Sequence, residues 1–406
     1  MEQALNRVGT FSQPDSENRE NRDWQNRIWD VIVIGAGVAG SVAARQAALT
    51  GHRVLLLDKR QFPRRKVCGA CLNRVALDVF QQIGLSDVIA GLGGTDLIRF
   101  SLHCGRRTLQ VPLPAGIALS RETLDEALIR EAISAGVEFL PETIAKVGEH
   151  EPGFRDVKVQ HGGLEILVKG RCVVVATGLE SVSSQGSGEW TTEVVAASRV
   201  GAGCVVEEAG DYYTAGTIWM AAGTGGYTGL VRVEGGRLNV AAAFDRDFLR
   251  AQGSPARAAS AVLEQARMPV PQEFKSADWQ GTIQLTRSTR PVASHRVFLI
   301  GDAAGYVEPF TGEGMAWGLL TAQHVIPWVS KTVAESEWSE SVGQGWGTEY
   351  GKLIDHRQQL CRRFAWFLRS PTLISLSLSV GAIWPGLARS LVKQLNTSGE
   401  VTPCNQ

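Results

Sequence analysis

A short apolar run that ends in a glycine turn is the feature that most constrains this chain. The run WDVIVI, at 29–34, has the β-branched pattern of a parallel strand buried on both faces, and GAGVAG follows it at 35–40. An alanine-rich helical segment begins at Val38 and stops near Gly51, and a second buried strand, RVLLL, ends at Asp58. Together these segments predict a βαβ dinucleotide-binding unit in an α/β fold.

Each residue of this unit has a separate physical role toward a dinucleotide. Gly35 permits the tight turn, Gly37 lets the backbone approach a pyrophosphate, and Gly40 lets the helix pack close to the sheet. The helix N-terminus attracts phosphate, and Asp58 is expected to accept hydrogen bonds from the adenosine ribose. Lys59 adjoins Asp58 and is assigned to the same site. This unit alone is compatible with FAD or NAD.

A second motif distinguishes FAD from NAD. The segment RVFLIGDAAGYVEPFTGEGMAWGLLTA, at 296–322, closely resembles the second FAD signature of the p-hydroxybenzoate hydroxylase superfamily. Its PFTGEG version most resembles the geranylgeranyl reductase branch. The resemblance implies that the Gly301-Asp302 pair lies at the ribityl chain and that the PxxGxG turn lies against the isoalloxazine. The residues assigned to the cofactor site in this turn are Pro309, Gly312, Gly314 and Met315.

Two shorter segments extend the resemblance. SRETLD resembles the start of a helix whose arginine, here Arg121, reaches the FAD pyrophosphate, and a guanidinium suits phosphate because it makes bidentate bonds. PRRKVCG resembles the reductase-branch motif whose Cys-Gly pair lies beside the flavin, so Cys68 and Gly69 are assigned as catalytic. Thr177 stands where the superfamily carries an Asp that is associated with FAD and pyridine-nucleotide contacts.

The segment Cys68-Gly69-Ala70-Cys71 is also a CxxC, and four interpretations of it stay open. The first is a redox-active dithiol, and the second is half of a zinc site. In the third, Cys68 is a flavin-side thiol, and in the fourth the cysteines are inert packing residues. The chain has no second CxxC, and we predict no metal site.

Composition limits the partners and the compartment. The chain has 41 basic and 41 acidic residues, so no global field attracts nucleic acid, and no nucleic-acid partner is expected. Seven cysteines without a regular framework favour a reducing, cytoplasmic location. The uncharged stretch at 370–388 has two interpretations: it packs over the dinucleotide-binding domain, or it contacts the inner face of a membrane peripherally.

The sequence predicts a Rossmann-type FAD-binding domain like those of glutathione reductase and p-hydroxybenzoate hydroxylase. A β-rich substrate domain is inserted into it, and a helical C-terminal tail follows. The predicted FAD-binding domain comprises residues 28–75, 105–180 and 285–345. The predicted substrate domain comprises residues 76–104 and 181–284. A disordered extension is predicted at residues 1–27, and the tail spans residues 346–406.

The resemblance implies an FAD-dependent oxidoreductase that reduces a C=C bond of a hydrophobic, isoprenoid- or polyketide-like substrate by hydride from flavin N5. NAD(P)H or another external donor would supply the electrons. Trp219 and Tyr227, in the region where the reductase branch carries an aromatic and proline-rich motif, are the substrate candidates. Two alternatives remain open: an NAD(P)H-dependent aromatic hydroxylase and an electron-transfer flavoprotein.

Overall fold

The computed structural model describes residues 23–180, 188–208, 210–308, 312–367 and 369. The α-helices in chain order are α1 (Asp23–Asn26), α2 (Val38–Leu49), α3 (Arg74–Gln82), α4 (Ser86–Gly91), α5 (Arg121–Ser134), α6 (Arg246–Gln252), α7 (Pro255–Gln265), α8 (Gly314–His324), α9 (Ile326–Ala334) and α10 (Glu340–Phe367). The strands are β1 (Ile28–Ile34), β2 (Val54–Leu57), β3 (Cys71–Asn73), β4 (Thr95–Asp96), β5 (Arg99–Cys104), β6 (Arg107–Pro112), β7 (Gly116–Ala118), β8 (Glu138–Leu140), β9 (Ile144–Glu151), β10 (Phe154–His161), β11 (Leu164–Val175), β12 (Thr191–Val194), β13 (Val200–Val206), β14 (Thr217–Gly223), β15 (Gly226–Arg232), β16 (Leu238–Phe244), β17 (Gln280–Gln284), β18 (Arg287–Arg290), β19 (Ala293–Ser294), β20 (Val297–Leu299) and β21 (Gly305–Tyr306).

A largely parallel sheet forms the dinucleotide-binding domain. Its strands lie in the order β19-β20-β11-β1-β2-β8, and β1 pairs in parallel with both β2 and β11. Strand β11 also forms an antiparallel hairpin with β10, which pairs with β9. The residues of β1 from Val31 onward and all of β2 are buried, because these strands are central and covered on both faces. The predicted strand, helix, strand order at 29–57 is confirmed.

Helix α2 contacts two other helices along this sheet. Helix α2 packs against α5 and α8, which follow the two other sequence motifs of the site. Helix α5 begins after Ser120, whose Oγ accepts a hydrogen bond from the backbone N–H of Thr123 at 3.2 Å. This N-cap confirms the helix start predicted from the sequence. The packing therefore brings segments far apart in the chain to one end of the sheet.

A second sheet forms the inserted domain. Its order is β17-β13-β16-β15-β14-β5-β6, and all its pairs are antiparallel except β14 with β5. Strands β15 and β16 form the hairpin predicted around Gly235-Gly236. Helix α7 covers one face and buries Ala258, Val262 and Leu263 against it. The other face is thereby left for the domain that contains α2.

The structure corrects the domain boundaries predicted at residues 76–112. Helices α3 and α4 fall in the predicted substrate range, yet Val79, Phe80 and Ile89 are buried in the core of the dinucleotide-binding domain. Strand β6 falls in the predicted FAD-binding range but pairs with β5 in the second sheet. Both errors have one physical cause. An amphipathic segment shows that it has a buried face, but the pattern does not identify the partner of that face.

The predictions made for the two ends of the chain have different outcomes. Helix α1 buries Trp24, whose backbone carbonyl accepts a hydrogen bond from the ring N–H of Trp29 at 3.1 Å, so ordered structure begins within the extension predicted at 1–27. The uncharged stretch at 370–388 lies outside the described residues, and its membrane contact stays a prediction. Among the residues that are described, no helix has the length and apolar character needed to cross a membrane.

Two glycines set the distance between α2 and the sheet. A Cβ on Gly40 would lie 1.7 Å from the carbonyl oxygen of Gly35, which is closer than any two such atoms can approach. Gly35 has a φ of +105°, and a Cβ there would lie 2.4 Å from the Ala176 carbonyl oxygen. The first turn therefore requires glycine at both positions for separate steric reasons.

We predict that Gly40→Ala lowers the free energy of unfolding by at least about 3 kcal/mol, because the added methyl group must displace α2 or the preceding turn. Urea denaturation followed by tryptophan fluorescence measures this change. Gly91→Ala is the matched control, since a Cβ there meets no atom within 4 Å and α4 gains a better helix former. Equal stability of Gly40→Ala and wild type would contradict the close approach of α2.

Candidate active site

The N-terminus of α2 faces two guanidinium groups. A Cβ on Gly37 would lie 3.4 Å from Nη2 of Arg121 and 3.6 Å from Nη2 of Arg64. Gly37 is the N-cap of α2, so its surroundings combine the positive end of a helix with two cations. The predicted pyrophosphate position at Gly37 thus has the electrostatic character that the ligand requires.

One buried carboxylate holds both guanidinium groups. Asp125 is fully buried and accepts two hydrogen bonds of 2.8 Å from Nε and Nη2 of Arg121. Its Oδ2 also lies 3.5 Å from Nη2 of Arg64. Burial acts to lower the pKa of Arg121, but Asp125 and the Cys68 thiol outweigh it and raise the pKa. Burial lowers the pKa of Arg64, with Asp125 acting in the opposite direction. Asp58 Oδ2 also lies 3.9 Å from Arg64 Nη2, so Asp125 and Asp58 together orient the two guanidinium groups, whose N–H donors suit a pyrophosphate.

Asp58 orders the first turn as well as lining the cavity. Its Oδ2 accepts from the backbone N–H of Ala36 at 2.8 Å, and its Oδ1 accepts from that of Arg60 at 2.9 Å. The side chain lies at the end of β2, where the sequence places a ribose acceptor. Lys59 also lines the cavity, and its ammonium forms an ion pair with Glu180.

The second motif lies beside the first. Gly301 has a φ of +57° and its N–H donates to Thr321 Oγ1 at 3.0 Å, which ties the end of β20 to α8. Asp302 lines the cavity, and burial raises its pKa while Lys66 acts to lower it. Burial, followed by repulsion from Arg121, lowers the pKa of Lys66. Gly312, Gly314 and Met315 line the same cavity, whereas Pro309 lies outside the described residues.

Cys68 and Cys71 have different surroundings. The Cys68 thiol is a hydrogen-bond partner of Arg121, and the Cys68 carbonyl accepts from Asn239 Nδ2 of the second sheet at 2.9 Å. Cys71 is buried and donates to the Gly69 carbonyl at 3.0 Å, and burial raises its pKa. Both thiols are free. Among the described residues, no cluster of three or more His, Cys, Asp or Glu side chains is arranged to hold a metal ion.

A continuous cavity of about 1790 Å³ joins these motifs to the inserted domain. Met220 and Tyr227 of the second sheet line it, opposite Gly37, Cys68 and Asp302. This volume exceeds the roughly 300–1,000 Å³ of an ordinary ligand pocket, so a dinucleotide and a second molecule can be held together. Gly69 also lines the cavity, and a Cβ added there would meet no atom within 4 Å.

Trp219 is not part of this wall. Side chains alternate along β14, so Ile218 and Met220 face the cavity while Trp219 faces the opposite side. There its ring lies 5.1 Å from that of Tyr212 and 6.0 Å from that of Tyr213. The predicted substrate contact of Trp219 is therefore corrected, because the alternation of side chains along β14 turns Trp219 away from the cavity. Tyr227, the other predicted substrate residue, lines the cavity.

A buried polar cluster joins the two domains beside the cavity. Tyr227 is hydrogen-bonded to Glu308, and Glu308 accepts from Arg199 Nη1 at 3.1 Å. Burial raises the pKa of Tyr227, with Glu308 adding to it, and burial also raises the pKa of Glu308 against the effect of Arg199. Sequence reasoning missed Arg64, Lys66 and Glu308. All three lie within the motifs PRRKVCG and EPFTGEG, and this position beside predicted cofactor residues was the signal that could have identified them.

The comparisons with known proteins agree with this geometry. The family described as FAD binding domain matches residues 29–326. This chain belongs to that family. It is 26% identical over 379 residues to the menaquinone reductase of Mycobacterium tuberculosis, covering 86% of this chain and 90% of the relative. It is also 26% identical over 354 residues to the digeranylgeranylglycerophospholipid reductase of Methanosarcina mazei, covering 78% of this chain and 81% of that protein.

Solved structures share the fold at lower identity. A flavin-dependent brominase aligns with a TM-score of 0.75 at 18% identity, covering 91% of this chain and 94% of that chain. The p-nitrophenol 4-monooxygenase of Pseudomonas putida DLL-E4 aligns with a TM-score of 0.71 at 15% identity, covering 91% and 96%. The family and the fold make this FAD-binding protein an FAD-dependent oxidoreductase. The glycines, the two guanidinium groups and Asp58 fit the dinucleotide part of FAD.

We predict that Arg121→Met and Arg64→Met each weaken FAD binding about tenfold or more, because a hydrogen bond to a charged group contributes about 1.5–3 kcal/mol and 1.4 kcal/mol is one factor of ten. Titration of apoprotein with FAD measures the Kd. Arg130→Met is the control, since Arg130 lies on the same helix α5 but is exposed and paired with Glu126 at 2.6 Å. An unchanged FAD Kd in both Arg121→Met and Arg64→Met would remove these residues from the cofactor site.

Proposed function

We propose that this enzyme reduces carbon–carbon double bonds in the isoprenoid chain of a lipid. The observation that carries the proposal is the shape and lining of the cavity, which continues from the FAD motifs into a largely apolar chamber. Apolar residues of the second sheet form its wall: Phe100, Leu102, Leu109, Val111, Ile218 and Met220. A long hydrocarbon chain can lose its hydration there, and that loss provides the main driving force for binding.

The relatives named above support the same substrate class. Menaquinone and digeranylgeranylglycerophospholipid both carry isoprenoid chains, and the two reductases named for them align over most of their lengths with this chain. The two lipids in these names share an isoprenoid chain and differ in the headgroup. We therefore extend to this enzyme the reduction of an isoprenoid chain, and we leave the headgroup to be determined by experiment.

The residues of this chain hold the reactants and exclude water. When bound and reduced by NAD(P)H or another external donor, FAD supplies the hydride, and a proton added to the other carbon of the double bond completes the reduction. Arg64 and Arg121, whose Nη2 atoms lie beside Gly37, would hold its pyrophosphate and so fix one end of the cofactor. Cys68 lines the cavity next to Arg121, while Asn239 holds its backbone from the second sheet. The apolar wall keeps solvent from the double bond, so the hydride is not lost to competing acceptors.

An anaerobic single-turnover experiment tests the function. The enzyme is reduced with a stoichiometric amount of dithionite and mixed with a polyprenyl lipid, and flavin absorbance and product mass are followed. We expect the oxidised flavin spectrum to return and the product to gain two hydrogen atoms. In a parallel turnover under labelled dioxygen, a product that gains a labelled oxygen atom would instead establish the hydroxylase. Reoxidation of the flavin by a protein acceptor but not by the lipid would establish an electron-transfer flavoprotein.

Cys68 and Cys71 provide a matched pair of variants. We predict that Cys68→Ser lowers kcat at least about tenfold, the factor given by 1.36 kcal/mol of lost transition-state stabilisation, while FAD content stays normal. Cys71→Ser should change kcat little, because its thiol is buried and hydrogen-bonded to the Gly69 carbonyl. Equal and complete loss of activity in both variants, with a titratable disulfide in wild type, would support the dithiol interpretation and contradict ours.

A further inference from the structure

Arg287 is a buried cation in the cavity wall. The residue is 8% exposed, and it lines the cavity at the start of β18. Arg64 and Arg121, in the same cavity, lie within 4.0 Å of Asp125. Among the described residues, no carboxylate comes that close to Arg287. Burial lowers its pKa, and no opposing charge acts against that effect.

Backbone carbonyls hold the Arg287 guanidinium in one orientation. Its Nη1 donates to the Leu179 carbonyl at 2.8 Å, and its Nε and Nη2 donate to the Gln284 carbonyl at 3.2 Å and 2.9 Å. A guanidinium has five N–H donors, so within the described part of the chain two of them remain for another acceptor. The group is fixed in place, but its charge is not neutralised.

A second arginine shows why the location of Arg287 matters. Arg296 is fully buried and is also held by carbonyls, those of Arg171, Thr332 and Glu335. It does not line the cavity, and its bonds tie the end of α9 to the sheet, which is a structural role. Arg287 makes comparable carbonyl contacts at the wall of a chamber large enough for a substrate. Hydrogen bonds from a guanidinium to backbone carbonyls therefore do not by themselves identify a binding site. At a cavity wall, however, such bonds leave the positive charge of the guanidinium available to a ligand.

The surroundings of Arg287 restrict what that ligand is. Tyr306 is its partner in the register of β18 and β21, so both side chains lie on one face, and Tyr306 also lines the cavity. Leu179 and Leu285 pack nearby in the apolar cluster that includes Met220. An uncompensated cation in such surroundings is costly, and an acceptor oxygen of a ligand offsets that cost.

We propose that Arg287, together with Tyr306, binds the oxygen-bearing headgroup of the substrate, either a phosphate oxygen or a quinone carbonyl oxygen. This inference rests on the proposed reduction of an isoprenoid lipid and adds its point of attachment. With the headgroup held at the start of β18, the hydrocarbon chain extends along the apolar wall that includes Met220. The headgroup thereby sets which double bond of the chain lies beside the FAD motifs.

Three substrates with the same polyprenyl chain test the proposal. One carries a glycerophosphate headgroup, one a quinone headgroup, and one has no oxygen. Arg287→Met is expected to raise KM at least about tenfold for one or both headgroup substrates, while KM for the hydrocarbon and the FAD Kd stay unchanged. The arm that responds identifies phosphate, quinone or both as the headgroup. Arg290→Met is the control, because Arg290 lies on the same strand with a side chain that is 51% exposed.

Several outcomes would overturn the role of Arg287. An equal rise in KM for all three substrates would assign Arg287 to packing, and a weakened FAD Kd would assign it to the cofactor. Unchanged KM values would remove it from binding. If wild type reduces none of the three lipids, the proposed function fails. Binding of the same lipids to the oxidised enzyme, measured from the flavin absorbance change in wild type and in Arg287→Met, then still decides whether Arg287 holds the headgroup.

Discussion

The contact between the turn at Gly35 and the first residues of α2 is the constraint on which the rest of the site depends. A Cβ at Gly40 would lie 1.7 Å from the Gly35 carbonyl oxygen, so this helix can reach its position only with glycine there. That position points the N-terminus of α2 at Arg64 and Arg121 and places its flank against α5 and α8. One steric requirement thus brings together three motifs that are distant in the sequence.

Charge within the site is arranged around a small number of buried carboxylates. Asp125 serves two guanidinium groups, Asp58 lies 3.9 Å from Arg64, and Asp302 lies near Lys66. The charged side chains that line the cofactor end of the cavity are still mostly basic, because Lys59, Arg60 and Arg65 line it as well. Bound pyrophosphate would balance this excess, which makes cofactor binding and local stability mutually dependent. The inserted domain is tied to the same region through Glu234, which accepts from the Ser120 N–H at 2.9 Å and from Thr123 Oγ1 at 2.9 Å. The two domains therefore share the start of α5.

The sequence predicted the parts of the fold that depend on local patterns. The βαβ unit follows from unbroken apolar runs and glycines, and α5 follows from its Ser120 cap. Prediction from the sequence failed where the outcome depends on which other segment a helix or side chain packs against. The apolar pattern of α3 predicts a buried face but does not identify the core that this face covers. Along β14, neighbouring residues face opposite sides, so Met220 lines the cavity and Trp219 does not. Arg287 belongs to no motif, and its significance appears only in three dimensions, where no carboxylate of the described residues lies within 4.0 Å of its guanidinium.

The central claim is that one cavity holds FAD and an isoprenoid chain on the Met220 face of the second sheet. A crystal structure of the complex with FAD and a polyprenyl lipid tests it most directly. We expect the pyrophosphate oxygens to lie within about 3.2 Å of donors on Arg64 and Arg121, and the hydrocarbon chain to run along Leu102 and Met220. A chain bound on the Trp219 face, or a pyrophosphate distant from Gly37, would contradict the account.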